Sequence, residues 1–243
     1  MRKVLSYTRR AIDDYNMIND GDKIAVGVSG GKDSMALMLA MKALQRFYPK
    51  KFDLCAVSLS LGFQDMDYSP LERLCKEKEI ELVIEKTQIA EIIFDVRKEK
   101  NPCSLCANMR RGALHDAAKK IGCNKVALGH HFDDVIETFF LCLLNEGRVN
   151  CFSPVTYLDR KDIHMIRPFI YMPEKEIKRF AKETDLPVIK NKCPADGNTS
   201  RQYMKDLISK LDYDNRGVKE RIFHAITTSE IKGWNIEDLK AGL

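Results

Sequence analysis

The sequence predicts an α/β protein built on a doubly wound parallel sheet, with a small helical extension at its carboxyl end. Three observations carry that expectation. Short apolar runs alternate with amphipathic stretches at the spacing of strand–helix–strand units. A glycine-rich turn directly follows the first apolar run and opens a helix. After about Pro187 the strand signals stop and two helical patterns follow one another.

Residues 23–28 (KIAVGV) read as a buried strand and 34–47 as an apolar helix. Residues 52–61 (FDLCAVSLSL) form a second strand, followed by a helix around 70–78 that opens on Pro70. ELVIE at 81–85 is a third strand. KVAL at 125–128 is a fourth, leading into a helix over about 132–144, and 163–166 is a fifth, just before Arg167-Pro168. Parallel sheets bind ligands beyond the carboxyl ends of their strands. Functional residues are therefore expected just after Val28, Leu59, Glu85 and Leu128. The helices at 200–211 and 217–227 belong to the extension. This divides the chain into an α/β domain over 1–188, with an inserted segment at about 97–122, and an extension over 189–243.

The 243 residues are 44% hydrophobic, enough for one sizeable core. A net charge of +5 neither requires nor excludes a nucleic-acid partner. The mean hydropathy of −0.32 and the lack of an apolar run near ~18 residues argue against a membrane-spanning chain. The opening MRKVLSYTRRAIDDYN is charged throughout, so no signal peptide is expected. Eight cysteines without an export signal point to a cytoplasmic, reducing setting, where they are thiols or metal ligands rather than disulfides.

After the first strand comes Ser29-Gly30-Gly31-Lys32-Asp33-Ser34. Adjacent glycines let the backbone turn tightly and present N–H groups, and the helix amino terminus behind them adds its dipole. Ser29, Lys32 and Ser34 add donors, so the loop suits a polyphosphate. It has neither the spacing G-x-x-x-x-G-K-[ST] nor G-x-G-x-x-G. Two glycines alone would fit a plain helix-capping turn; six residues in this order at a strand–helix junction argue against that. S-G-G-K-D-S resembles the signature of the PP-loop ATP pyrophosphatases, which split ATP between its α and β phosphates and use AMP as an activating group. The resemblance implies ATP as cofactor, with Asp33 holding Mg²⁺ beside the phosphates.

The fourth strand is followed by Gly129-His130-His131-Phe132-Asp133-Asp134-Val135-Ile136-Glu137-Thr138. Asp133 and Glu137 share a helical face at i, i+4. Acidic residues suit any helix amino terminus, which accounts for one aspartate more easily than for the whole cluster. Asp133 or Asp134 could complete a Mg²⁺ site or take a proton. Zinc binding by His130 and His131 is the weaker idea, because adjacent histidines on one turn point apart. The block resembles the second motif of PP-loop enzymes that modify tRNA, the lysidine and 2-thiocytidine synthetases among them. That likeness adds Gly129 and His130 to the nucleotide site.

Cys103 and Cys106 form a C-x-x-C, which can chelate a metal, exchange electrons or do neither. Cys193 lies in a polar, loop-like stretch where burial does not explain a cysteine. Cys55, Cys75, Cys123, Cys142 and Cys151 read as packing or surface residues. With no second C-x-x-C, a closed zinc site is poorly supported, whereas three thiolates would suit a [4Fe–4S] cluster with one open iron. From about Met17 to Thr227 the motifs resemble the tRNA 2-thiocytidine synthetase (TtcA-like) family: C-S-L-C-A-N-M-R-R-G-A-L, G-H-H-F-D-D-x-x-E-T, I-R-P and C-P-A-D-G-N-T-S-R-Q. The resemblance implies that Cys103, Cys106 and Cys193 hold a [4Fe–4S] cluster. Some members carry an extra cysteine shortly before the third ligand, where this chain has Asn191 and Lys192. The carboxyl-terminal motif also departs from the best-known members. Both differences bear on the substrate more than on the chemistry.

Residues 97–125 carry a net +6, from Arg97, Lys98, Lys100, Arg110, Arg111, Lys119, Lys120 and Lys125 against Glu99 and Asp116. Arg2, Lys3, Arg9 and Arg10 add positives near the amino end. A concentrated basic face is the footprint of phosphate-backbone binding, although Lys119 and Lys120 fit a solvated helix face equally well. Arg110 and Arg111 follow Cys106 by one helical turn, where they could stabilise developing negative charge; the family resemblance favours Arg110. The resulting expectation is ATP-dependent thiolation of a tRNA base, cytidine C2 at position 32 of the anticodon loop. The base oxygen attacks the α phosphorus, pyrophosphate leaves, and sulfur held on the open iron displaces AMP. The implied partners are tRNA, a sulfur donor such as a cysteine desulfurase, and a second copy in a homodimer. A cluster-free persulfide route, lysidine synthesis and an ATP- and cluster-binding nucleic-acid sensor are the alternatives.

Overall fold

A computed structural model describes residues 1–63, 66–97, 102–189 and 200–236. The chain opens on α1 (Arg2–Asp14), which turns Val4, Thr8, Ala11 and Ile12 inward and its basic residues outward. There follow β1 (Asp22–Gly27), α2 (Lys32–Gln45), β2 (Phe52–Ser60), α3 (Ser69–Glu77) and β3 (Glu81–Lys86). A π-helical turn (Glu91–Val96) leads to α4 (Pro102–Lys120). Next come β4 (Lys125–Ala127), α5 (Phe132–Glu146), β5 (Val155–Leu158), β6 (Ile163–Ile166), α6 (Glu174–Glu183), α7 (Ser200–Asp214) and α8 (Val218–Thr227).

The strands form one sheet in the order β3-β2-β1-β4-β6-β5. All neighbours are parallel except β5 and β6. From β1 the chain builds outward through β2 and β3 on one side, then crosses to β4 and β6 on the other. The strand order thus reverses between β1 and β4, which opens a crevice at their carboxyl ends. Side-chain alternation along β1 assigns the two faces. Ile24 and Val26 join the larger core with α1, α2 and α6, whereas Ala25 packs with Leu114, Ala117 and Ala118 of α4. A third cluster seats Met204 and Ile208 of α7 on Phe132 and Ile136 of α5.

The doubly wound α/β class is the one observed, and several elements, β5, α1 and α6 among them, lie beyond the sequence reading. β5 is a short antiparallel edge strand, half-exposed along its length, so it lacks the continuous apolar run of a buried strand. α1 and α6 are dominated by charged residues and turn only a narrow apolar stripe inward. The +6 segment also reads differently in three dimensions. Lys125 is a buried structural cation, 2.7 Å from Asp22 and donating to the Met17 carbonyl at 2.9 Å. Lys119 is paired with Asp162 at 3.1 Å. These two lysines therefore do not contribute free charge to a basic face.

Candidate active site

The loop after β1 turns on Gly30, whose φ of +81° lies in the left-handed region that glycine enters without cost. Gly31 is the N-cap of α2 and has no side chain to cap it, so the first-turn N–H groups are left to a ligand. The two serines brace the loop from within. Ser34 Oγ accepts from the Ser29 N–H at 3.1 Å and donates to the Gly31 carbonyl at 3.0 Å; the Ser29 and Ser34 hydroxyls lie 3.2 Å apart. Lys32 Nζ is 3.0 Å from Asp33 Oδ2 and 3.0 Å from Glu174 Oε1. Asp33 Oδ1 is buried with no hydrogen-bond partner. An anionic oxygen in that condition is costly unless a cation meets it, so the residue fits a Mg²⁺ ligand.

The loop after β4 lies against this one. A Cβ on Gly129 would come within 3.0 Å of the Asp33 carbonyl carbon and 3.1 Å of the Ser34 nitrogen, so the backbones touch where only glycine fits. His131 caps α5 in a reciprocal capping box with Asp134. Its Nε2 stands 3.8 Å from Asp33 Oδ1 and 3.4 Å from Asp134 Oδ2, which joins the two motifs. His130 points the other way, its ring 5.0 Å from that of Phe152 and its Nδ1 buried without a partner. Burial first, then the charges of Arg167 and Arg201, push its pKa down to about 3, so the ring is neutral near pH 7.

The two aspartates are already engaged. Asp133 Oδ2 accepts the Glu174 N–H at 2.7 Å, and Oδ1 faces Lys219 Nζ at 2.7 Å. Burial works to raise the Asp133 carboxyl, but the Glu174 N–H and Lys219 hold it below the usual range. Asp134 accepts the His131 N–H at 2.9 Å and faces Arg201 Nη1 at 3.3 Å. The carboxyl with a pKa near neutrality is Glu137, raised to about 7 by burial and then by Asp134. Its helical face was legible from spacing; its burial was not.

Cys103 and Cys106 sit one turn apart at the start of α4, exposed and half-buried respectively, with Arg110 a further turn along the helix. Cys55, Cys75, Cys123 and Cys151 are in the core. Accessible thiols one turn apart fit two ligand positions of an iron–sulfur cluster. Cys193 lies outside the described residues, and among the described residues no group of three His, Cys, Asp or Glu could hold a metal. The chain is nonetheless anchored at both motifs on either side of residues 190–199. Ile189 donates its N–H to the Gly30 carbonyl at 2.9 Å, and Arg201 reaches Asp134 and Thr138.

A PP-loop domain family model matches residues 4–211. A protein of Geobacter sulfurreducens named tRNA-cytidine(32) 2-sulfurtransferase is 36% identical over 228 residues, covering 93% of this chain and 89% of its own. The chain belongs to the PP-loop tRNA 2-thiocytidine synthetase family. A protein of the same name from Syntrophotalea carbinolica is 37% identical, over 93% of this chain and 88% of its own. In fold, the chain is similar to the solved structure of the U34-tRNA thiolase NcsA from Methanococcus maripaludis with its [4Fe-4S] cluster. The TM-score is 0.74 at 21% identity, covering 98% of this chain and 87% of that one.

Within this PP-loop site, residues unassigned in the sequence reading carry much of the polar framework. Arg201 of α7 connects Asp134 with Thr138, and Glu174 of α6 receives Lys32. Arg167, just after β6, is buried; it donates to the Ser153 carbonyl and Thr156 Oγ1, while its Nε finds no partner. Burial lowers the pKa of His115 and the charge of Arg111 adds to it; at His130 the charges of Arg167, Arg201 and His131 come before that of Arg111. No local sequence signal marks Glu174; Arg201 lies within the C-P-A-D-G-N-T-S-R-Q motif, but its partners on α5 are distant in sequence.

Proposed function

We propose that this protein thiolates a tRNA cytidine, adenylating the C2 carbonyl at position 32 with ATP and replacing its oxygen with sulfur. The observation that carries this reading is the contact of the two strand-end loops at Gly129, which sets the uncapped amino terminus of α2 and the unpartnered Asp33 oxygen beside the second motif. The names of the relatives at 36% and 37% identity support tRNA and the cytidine as substrate.

In this reading the backbone N–H groups of Gly30 to Ser34 and the Lys32 ammonium hold the β and γ phosphates, and Asp33 holds Mg²⁺ on their flank. Gly129 borders the nucleotide through its backbone, while the neutral His130 ring, turned to Phe152, is no direct nucleotide contact. Adenylation is required because a base oxygen is a poor leaving group, whereas AMP leaves readily. Asp133 and Asp134 order the loop that presents the α phosphorus. Arg110 or Arg111 stabilises negative charge as it develops on the activated base. Cys103, Cys106 and Cys193 would ligate a [4Fe–4S] cluster, which when bound supplies an iron that holds the sulfur to be transferred. A cysteine desulfurase is the class of sulfur donor, a homodimer the assembled state, and the cytoplasm the setting.

Two measurements test the reading. Anaerobically purified Cys193→Ala protein is expected to lose bound iron and sulfide together with thiolation; a variant retaining cluster and full activity overturns the ligand assignment. Mass spectrometry of tRNA nucleosides from cells lacking the protein should show loss of 2-thiocytidine. An unchanged 2-thiocytidine level overturns the substrate.

A further inference from the structure

One cluster, centred on a residue outside both sequence motifs, joins the carboxyl-terminal helices to the loop after β1. Glu174, at the start of α6 and 8% exposed, receives three ammonium groups. Lys32 Nζ lies 3.0 Å from Oε1, while Lys205 Nζ and Lys178 Nζ lie 2.9 and 3.0 Å from Oε2. Burial alone would raise this carboxyl. The three lysines hold it far below the usual range, so it is ionised. Lys32 belongs to the loop and Lys205 to α7, one turn beyond Arg201. Two ammonium groups from distant parts of the chain are thus held on the two oxygens of one carboxylate. With Asp33 also on Lys32, two carboxylates face three lysines, and the remaining positive charge lies beside the uncapped first turn of α2.

We propose that Lys205 is a second polyphosphate-binding lysine of the nucleotide site, supplied by α7, with Glu174 as the positioning residue that holds Lys205 and Lys32 side by side. The proposal rests on reading the Ser29 to Ser34 loop as the ATP site. Like charges at this separation repel, and the charge of Lys32 acts on Lys205 in that sense. Glu174 offsets the repulsion while the site is empty. A lysine bonds phosphate as a point charge on a flexible stem, so rotation within the side chains carries both ammonium groups from carboxylate to phosphate. The nucleotide site then spans the α/β sheet and the α7 helix, although no motif in α7 announces it.

The test compares ATP, inorganic pyrophosphate and AMP binding by titration calorimetry on the full chain. Lys205→Ala is expected to weaken ATP and pyrophosphate about tenfold and to leave AMP unchanged, since AMP lacks the phosphates involved. Lys205→Arg should restore most of the loss. Lys210 is an exposed lysine of the same helix, so Lys210→Ala should leave all three affinities as they are. In a Glu174→Gln background the effect of Lys205→Ala should shrink, because Lys205 is no longer held in place. Unchanged pyrophosphate affinity in Lys205→Ala, or a proportional loss of AMP affinity at an unchanged melting temperature, overturns the proposal. If the parent chain binds neither ATP nor pyrophosphate, or if Lys32→Ala binds both as the parent does, the ATP-site reading falls and takes the proposal with it.

Discussion

Gly129 is where single-atom tolerances decide whether the site assembles. A methyl group there would press on the backbone of Asp33 and Ser34, which cannot swing aside as a side chain can. Gly129→Ala is expected to lower stability by about 1–3 kcal/mol and to weaken ATP binding, as read by thermal denaturation and calorimetry. At Gly31 an added Cβ meets only Ser29 Oγ at 3.5 Å, and its φ is −74°. Gly31→Ala should therefore leave the melting temperature unchanged. Glu137 carries the other prediction at this scale. Its pKa is raised to about 7 in the folded protein, so its contribution is fully present below the unfolded value near ~4.3 and is lost as pH rises through 7. Glu137→Gln has no such ionisation. The melting temperature of Glu137→Gln relative to the parent should thus be higher at pH 8 than at pH 5; a difference independent of pH would contradict this.

The carboxyl-terminal helices are fastened to the sheet by apolar packing and by ion pairs. Met204 and Ile208 of α7 cover Phe132 and Ile136, and Phe223 of α8 packs its ring 4.7 Å from that of Phe132. Above that core, Lys219 of α8 meets Asp133 and Arg201 of α7 meets Asp134. Lys219→Ala leaves Asp133 without its cation in a largely buried position and should cost about 1–3 kcal/mol. Asp133 titrates below the usual range when folded, so the stabilisation exists above the unfolded carboxylate pKa and is lost as pH falls. The deficit of Lys219→Ala should accordingly hold from pH 7 to about pH 5 and shrink as the pH falls further, through the unfolded carboxylate pKa of ~3.9, in parallel denaturation curves. Asp133 thus contributes to the docking of α8 as well as to the second motif.

Across the whole molecule, the end of α1 and the segment around Trp234 meet over the larger core. Trp234, the sole tryptophan, is fully buried, donates its indole N–H to the Phe152 carbonyl and accepts at its own carbonyl from the Tyr15 hydroxyl. Its ring meets Tyr15 and Phe223 edge-on. Trp234→Phe should lower the melting temperature by removing volume and the indole hydrogen bond, while ATP affinity stays near that of the parent. In the unmutated protein, intrinsic fluorescence follows this closure alone, so its thermal transition should coincide with that of far-ultraviolet circular dichroism if α1 and α8 unfold with the sheet.

The local chemistry of Ser29 to Ser34 and of Gly129 to Thr138 was legible because each is a contiguous run at a strand end, where backbone rules alone aim N–H groups at a ligand. The strands and most helices were legible for the same reason: a period of two or 3.6 is visible within a few residues. α1, α6 and β5 were not, since their apolar positions are few and have meaning only against the surfaces they cover. Nor was the fate of the charges. Lys125 and Lys119 counted toward a basic face until Asp22 and Asp162, distant in sequence, were found to pair with them. Asp133 acquired a partner on α8 and Lys32 a partner on α6. The sequence by itself determined the fold class and the place of the glycine-rich loop at the end of β1, both of which rest on short-range backbone geometry and composition. Only the tertiary structure decided which charges are spent on one another, because a charge is felt through space at a few ångströms, whatever the length of chain between the groups.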